Sequence, residues 1–366
     1  MLIILPTFKR IETVYWVIIS IINNDLPALE EKPRLLIVNN YPPNKEAIEN
    51  LVDSIQKKYP EKAALWEWIQ LHRKETLTPV ANWYSALEEF AKEDEVAFFV
   101  GDDDPLPKWS IKVRYEQLVL NKADFVSGWL CSGIFFYQNG TKLHFEGETP
   151  QLSKHTKTEI IDYSNVWGWP TVHLSNHCFV YNDTFKKSLA MVYDWFESQP
   201  EIGEFNRTLF ITFYVPLALL VNNAKLIGVE EIVVYRGQSV EEIIDSKFGI
   251  RSWNLGFISM LCYDVMQTFL PNEKGLTGVK NHFIETYKKW YLTTFFDPRI
   301  SPAENKYIQS KYKSIINELT VSDRLYAVKL ILKDWLKIKG LPLKVKAFLG
   351  AQPADKVFKK LLQIDK

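Results

Sequence analysis

The sequence predicts an α/β protein: a doubly wound, mostly parallel sheet flanked by helices, with a helical extension at the C-terminal end. Three observations carry this. Short apolar runs at Leu2-Ile3-Ile4-Leu5, Arg34-Leu35-Leu36-Ile37-Val38 and Val96-Ala97-Phe98-Phe99-Val100 suit strands buried on both faces. Between them, apolar residues recur at helical spacing, and strand–helix alternation of this kind builds parallel sheets. From Val240 onward the composition turns helical, amphipathic and then basic, with no repeat, low-complexity tract or flexible linker. The organisation read from this is an α/β unit over 1–239, in halves 1–130 and 131–239, followed by an extension over 240–366.

Leu2 to Leu5 opens the sheet, and Pro6-Thr7-Phe8-Lys9-Arg10 is the loop after it. Val14, Val17, Ile18, Ile21 and Ile22 give Glu12 to Asn23 a helical period. The second strand ends in Asn39-Asn40-Tyr41-Pro42-Pro43, and Asn44 to Lys58 reads as a helix capped by Asn44. Leu65 to Leu71 is a weaker strand. Pro79 to Ala91 is a helix with Val80, Trp83, Leu87 and Phe90 on one face. Trp109 to Leu120 gives a further helix. The runs Ile134 to Tyr137 and Leu143 to Phe145, joined through Asn139-Gly140, suggest a hairpin.

The third strong strand runs into Gly101-Asp102-Asp103-Asp104-Pro105, and Pro105 cannot continue a ladder. Three carboxylates thus stand at the carboxyl end of a central strand, where open α/β sheets bind ligands. Adjacent like charges repel and are costly to desolvate unless a cation or donors compensate. A hard divalent ion holding a diphosphate would do so; a solvated acidic turn capping the next helix is the alternative.

Several classes are disfavoured. The first loop has no glycine, which counts against a dinucleotide fingerprint, a P-loop and the glycine-rich opening loop of a sugar nucleotidyltransferase. With 44 basic and 44 acidic residues, the chain carries no net charge that would advertise nucleic acid as a partner. Cys131, Cys178 and Cys262 lack metal-ligand spacing and read as reduced thiols. The first apolar run is too short for a signal peptide, and no run approaches the roughly 20 residues of a membrane span. A cytoplasmic protein is expected, with contact at the inner face of a membrane left open.

Taken together, Ile4-Leu5-Pro6-Thr7-Phe8-Lys9-Arg10, Leu36-Ile37-Val38-Asn39-Asn40, Asn82 within a helix, and Phe98-Phe99-Val100-Gly101-Asp102-Asp103-Asp104 resemble a family 2 glycosyltransferase of the GT-A fold over about residues 1–130. The resemblance implies inverting transfer from a nucleotide-diphosphate sugar to a saccharide or lipid-linked acceptor, as in surface polysaccharide synthesis. It also implies Mg²⁺ or Mn²⁺ on Asp102 and Asp104. The nucleotide sugar would meet Pro6, Thr7, Arg10, Asn39, Asn40, Asn82, Asp102 and Asp103. The family usually has Asp where this chain has Asn39 and Asn40; an Asn amide can still read a pyrimidine edge, so a uridine or thymidine nucleotide stays plausible. Asp124 to Trp129 would be the next strand.

Trp167, Trp169, His173 and His177 lie in a stretch rich in aromatic and polar edges, a candidate acceptor wall if not simply core. The family's base comes from an acidic pair ahead of a Lys-Ile-like strand and a Tyr-Arg. Here Glu204 fits best with Glu201 in reserve, ahead of Lys225-Leu226-Ile227-Gly228 and Tyr235-Arg236-Gly237. Phe205 replaces the usual second acid, which leaves room for a scaffold protein that has lost its base, as nucleotidyltransfer remains the rival enzyme class. Over 324–366 there are eleven Lys/Arg and three Asp, and Leu325, Val328, Leu332, Trp335 and Leu336 share a helical face. That pattern suits either an anionic membrane or an ordinary packed helix.

Overall fold

The computed structural model describes residues 1–138, 142–146, 150–166, 169, 174–198, 214–239, 302–311, 320–322, 324–325, 328–329 and 352–353. Ten strands form one sheet: β1 (Leu2–Thr7), β2 (Arg34–Asn39), β3 (Glu67–His72), β4 (Glu95–Phe99), β5 (Phe125–Gln138), β6 (Lys142–Glu146), β7 (Thr158–Ile161), β8 (Cys178–Tyr181), β9 (Leu226–Ser239) and β10 (Gln352–Pro353). The order is β10-β6-β5-β8-β4-β1-β2-β3, with β9 paired to β5 and β7. β3, β2, β1 and β4 are parallel, as is β5 with β9, whereas β8 runs antiparallel to both β4 and β5. The α/β class is the one expected from the sequence; the expected parallel order holds over β3-β2-β1-β4, and beyond it the sheet is mixed.

Among the described residues, helices accompany it at α1 (Ile11–Ile22), α2 (Lys45–Lys58), the single turn α3 (Pro60–Ala63), α4 (Pro79–Phe90), α5 (Ser110–Leu120), α6 (Asp183–Glu197), α7 (214–221) and α8 (Pro302–Lys311), with further helical residues within 321–329. Consecutive strand residues point to opposite faces, so an uninterrupted apolar run feeds two cores. Ile4, Leu36 and Phe99 pack with Tyr84 and Leu87 of α4 and with α6 and α7 on one face. Ile3, Leu35 and Phe98 pack with α1, α2 and α5 on the other.

Helix boundaries follow local chemistry. Thr78 caps α4 by accepting from Ala81 N–H at 3.3 Å, and Pro79, which lacks an N–H, takes the first helical position. Asn44 does stand at the N-cap of α2, but its side chain makes no cap bond. A 3₁₀ turn over Pro42–Asn44 runs directly into that helix and gives Asn44 a near-helical backbone. β5 and β6 pair antiparallel from Ile134↔Glu146 to Gln138↔Lys142, as a hairpin requires; Asn139 and Gly140 themselves lie outside the described residues. Beyond 239, β10 returns to pair with β6, and its Pro353 sits at an edge, where a missing N–H is tolerated. Leu325 and Val328 are exposed; Leu332, Trp335 and Leu336 lie outside the described residues.

Two buried charges tie sheet to helices. Arg114 of α5 is fully buried, stacks on Phe98 at 4.9 Å, and burial brings its guanidinium down to about 10. Arg34 donates to Phe90 O at 2.8 Å and pairs with Glu95, which also accepts from Lys92 N–H at 2.9 Å. Burial pushes the Glu95 carboxyl up; the Lys92 N–H and the Arg34 guanidinium outweigh it, and the net shift is downward. A lowered folded-state value means that the ionised form stabilises the fold above the unfolded value, and that this is lost as pH falls through the folded one. Arg34→Ala should therefore cost roughly 3 kcal/mol at neutral pH. Its acid unfolding, followed by circular dichroism, should begin at higher pH than in the unaltered chain.

Candidate functional site

The carboxyl ends of β1 and β2 bound a cavity of about 490 Å³, lined by Pro6 to Arg10, Asn40, Thr76, Leu77, Asn82, Trp83 and Asp102. The parallel register puts Thr7 beside Asn39 and Asn39 beside His72, so three polar residues end their strands at one level. Thr7 is 3% exposed, and among the described residues its Oγ1 has no hydrogen-bond partner. A buried hydroxyl left unpaired costs on the order of 1–3 kcal/mol, and this one lies at a cavity.

Asn40 braces the far wall. Its Nδ2 donates to Leu77 O at 2.8 Å and its Oδ1 accepts from Leu77 N–H at 2.9 Å, fixing the loop between β3 and α4 against the end of β2. Asn82, inside α4, accepts from Arg73 Nε at 3.1 Å through Oδ1; among the described residues nothing takes its Nδ2. Asn39 is turned inward. Its Oδ1 accepts from Tyr41 N–H at 3.1 Å, an Asx turn, and its Nδ2 lies 3.3 Å from His72 Nδ1. Of the two asparagines expected to face a base, Asn40 lines the cavity and Asn39 shapes the turn beside it.

The acidic turn follows β4, and its carboxylates have different surroundings. Asp102 Oδ2 accepts from Phe8 N–H at 3.1 Å, and its Oδ1 accepts from Arg10 Nη1 at 3.1 Å. The same nitrogen donates to Asp103 Oδ2 at 2.8 Å. Asp104 is buried, with Oδ2 accepting from Ser175 Oγ at 2.7 Å and Oδ1 from Gly237 N–H at 3.0 Å. Ser175 Oγ also accepts from Gly101 N–H at 2.8 Å, while Arg114 Nη1 holds Ser175 O at 2.9 Å. A Cβ at Gly237 would fall 1.5 Å from Asp103 O, so only glycine lets β9 come this close.

Of the two residues expected to hold a metal, Asp102 lines the cavity and Asp104 does not. Oxygens of Asp102 and Asp103 already converge on one cationic nitrogen. Such a pair of hard oxygen donors fits Mg²⁺ or Mn²⁺. Asp104 is a poor third donor, because it is the one buried carboxylate of the three and is held inward by Ser175 and Gly237.

The acceptor wall expected from the sequence differs in the structure. Trp169 is 5% exposed, stacks on Trp129 at 4.9 Å and covers Gly228; His177 is 1% exposed and meets the Phe125 ring edge-on at 5.0 Å. Both are core residues, since a large aromatic at this density gains more from burial than a solvent-facing wall would leave it. Trp167, His173, Glu201 and Glu204 lie outside the described residues. Sequence reasoning passed over Ser175 and Arg114, for which no local signal exists. Gly237 carried one, a glycine directly after Tyr235-Arg236 where a strand continues.

No family model and no curated protein matches the chain. Among solved structures it is similar to S. aureus TarS 1–349 in complex with UDP-GlcNAc, at 14% identity over 92% of this chain and 91% of that one, with a TM-score of 0.55. The same fragment in complex with UDP gives 12%, 92% and 90%, with a TM-score of 0.50. The longer S. aureus TarS chain gives 13% identity over 91% of this chain and a TM-score of 0.53. This chain spans about half (53%) of that one. What this likeness defines is the fold, a GT-A-like glycosyltransferase fold.

Replacing Asn40 by alanine leaves the Leu77 N–H and C=O without their side-chain partners. The variant should lose roughly 1–3 kcal/mol of stability. Amide exchange of residues 73–78 should accelerate relative to β1 and β2.

Proposed function

We propose that the protein is a glycosyltransferase that moves a sugar from a nucleotide-diphosphate donor, a UDP-sugar first of all, to a saccharide or lipid-linked saccharide, with inversion and with Mg²⁺ or Mn²⁺. The observation that carries the reading is the unpaired, buried Thr7 hydroxyl in a cavity that Asp102 also lines. A ribose or base edge would satisfy the hydroxyl, and a diphosphate would extend toward the acidic turn. The fold shared with TarS, for which complexes with UDP-GlcNAc and UDP exist, supports the donor class.

Inversion in a single displacement needs the acceptor oxygen to attack the anomeric carbon as the bond to the diphosphate breaks on the opposite face. The acceptor proton goes to a carboxylate, for which Glu204 is proposed and Glu201 stands in reserve. Thr7, Asn40 and Asn82 hold and orient the nucleoside. Arg10 lies within reach of a diphosphate lodged in the cavity it lines. A divalent cation bound by Asp102 and Asp103 would neutralise charge gathering on the leaving diphosphate. Asp104 positions the turn instead of ligating. No described helix is long and apolar enough to cross a membrane. The basic stretch over 324–366 is proposed to meet an anionic membrane surface, where lipid-linked acceptors reside.

A panel of nucleotide sugars, screened for thermal stabilisation and hydrolysis with and without Mn²⁺, tests this. At least one UDP-sugar should raise the melting temperature in a metal-dependent way. Asp102→Asn should then lower turnover by about a hundredfold or more while leaving the circular dichroism unchanged. A panel without a stabilising member, or full turnover in that variant, would overturn the reading.

A further inference from the structure

We infer that Arg10 is the resident counter-ion of the acidic turn, and that a divalent cation takes its place there by exchange. The inference rests on the proposed reading that Asp102 and Asp103 receive the metal. A single nitrogen, Arg10 Nη1, reaches both carboxylates, at 3.1 and 2.8 Å. The Arg10 side chain is 27% exposed against 12% for Asp102 and 14% for Asp103, so the cation stands on the solvent side of the pair it neutralises.

Its backbone is anchored independently of its side chain. Arg10 O accepts from Thr13 Oγ1 at 3.0 Å and from Val14 N–H at 3.1 Å, at the start of α1. Rotation of the side chain can therefore carry the guanidinium off these two carboxylates while the backbone stays anchored at the start of α1. Asp104 offers an incoming ion no alternative, being committed to Ser175 and Gly237.

The neighbouring cation provides the contrast. Lys9 lines the same cavity, but its Nζ sits over the Phe8 ring at 5.0 Å and the Tyr41 ring at 4.8 Å. Two positive charges thus line one cavity, and of these two it is Arg10 that is bonded to the acidic pair. Two adjacent carboxylates without a cation would repel and splay the turn. With Arg10 in place the turn keeps its shape before any metal arrives. A divalent ion brings twice the charge to the same oxygens and releases the guanidinium into the cavity, where a diphosphate can receive it.

The exchange can be read without turnover. Mn²⁺ binding to the full chain, followed by the loss of the free-ion electron paramagnetic resonance signal in the absence of nucleotide, should be roughly five- to tenfold tighter in Arg10→Gln than in the unaltered chain, the scale of part-exposed ion pairs no longer competing. Lys9→Gln removes the same charge from the same cavity and should change the affinity by less than about twofold, since exposed charges not in contact are screened. In the unaltered chain, saturating Mg²⁺ should accelerate labelling of Arg10 by phenylglyoxal, measured by peptide mass spectrometry; this reports on the exchange even if the Arg10 variant folds poorly. Equal tightening in both variants, or Mg²⁺ that leaves Arg10 labelling unchanged, would overturn the exchange while leaving the metal reading intact. Mn²⁺ that binds neither the unaltered chain nor Arg10→Gln would overturn both.

Discussion

Three consecutive carboxylates at the edge of a buried sheet can be accommodated only if each is answered, and the structure depends on how that is done. Ionised groups withdrawn from water are tolerated when hydrogen-bonded or paired. Asp102 and Asp103 share the Arg10 guanidinium, and Asp102 also takes the Phe8 N–H. Asp104 is answered, among the described residues, by the Ser175 hydroxyl and the Gly237 N–H. The first solution ties the turn to the loop after β1. The second ties it to the far part of the sheet. One four-residue turn thereby sets the spacing between the loop that shapes the cavity and the end of β9.

That second tie explains features of packing that look unrelated along the chain. Arg114 is a fully buried cation that donates to Ser110 and to Ser175 O. Its role is to hold the short turn over Leu174–Asn176 so that Ser175 Oγ can bridge Gly101 N–H and the Asp104 carboxylate. On the other side, β9 must pass close enough for its N–H to reach Asp104, and the 1.5 Å approach of a Gly237 Cβ to Asp103 O shows how little room remains. The small residue and the buried arginine serve the same carboxylate from opposite sides.

Much of this was legible in the sequence, and the limit has a physical cause. β1, β2 and β4 were readable because strands covered on both faces have continuous apolar runs, and α1, α2 and α4 because amphipathic helices have a 3.6-residue period. The loops at the strand ends were readable too, because topology places carboxyl ends at the ligand edge. What could not be read was which oxygen faces which donor. Asn39 and Asn40 are chemically identical neighbours, yet one closes an Asx turn and the other clamps Leu77 from the cavity wall. Trp169 and His177 had the composition of a carbohydrate-facing wall, but a sheet with helices on both faces needs large aromatics to fill its interior. Those two are consumed there.

The acidic turn carries the same lesson to the point where it bears on function. Three identical side chains acquired different roles from distant partners: Arg10 for Asp102 and Asp103, and for Asp104 Ser175, 71 residues away, and Gly237, 133 away. An Asp-x-Asp pattern states which residue types are present; it does not state which oxygens remain available. Which carboxylates stay accessible is decided by the fold, and here the fold has buried Asp104 against Ser175 and Gly237. The turn therefore presents a pair of adjacent carboxylates already organised around a positive charge, not an open triad. Organising them in advance lowers the cost of assembling the site when the ligand comes, because the repulsion between the two acids has been met during folding.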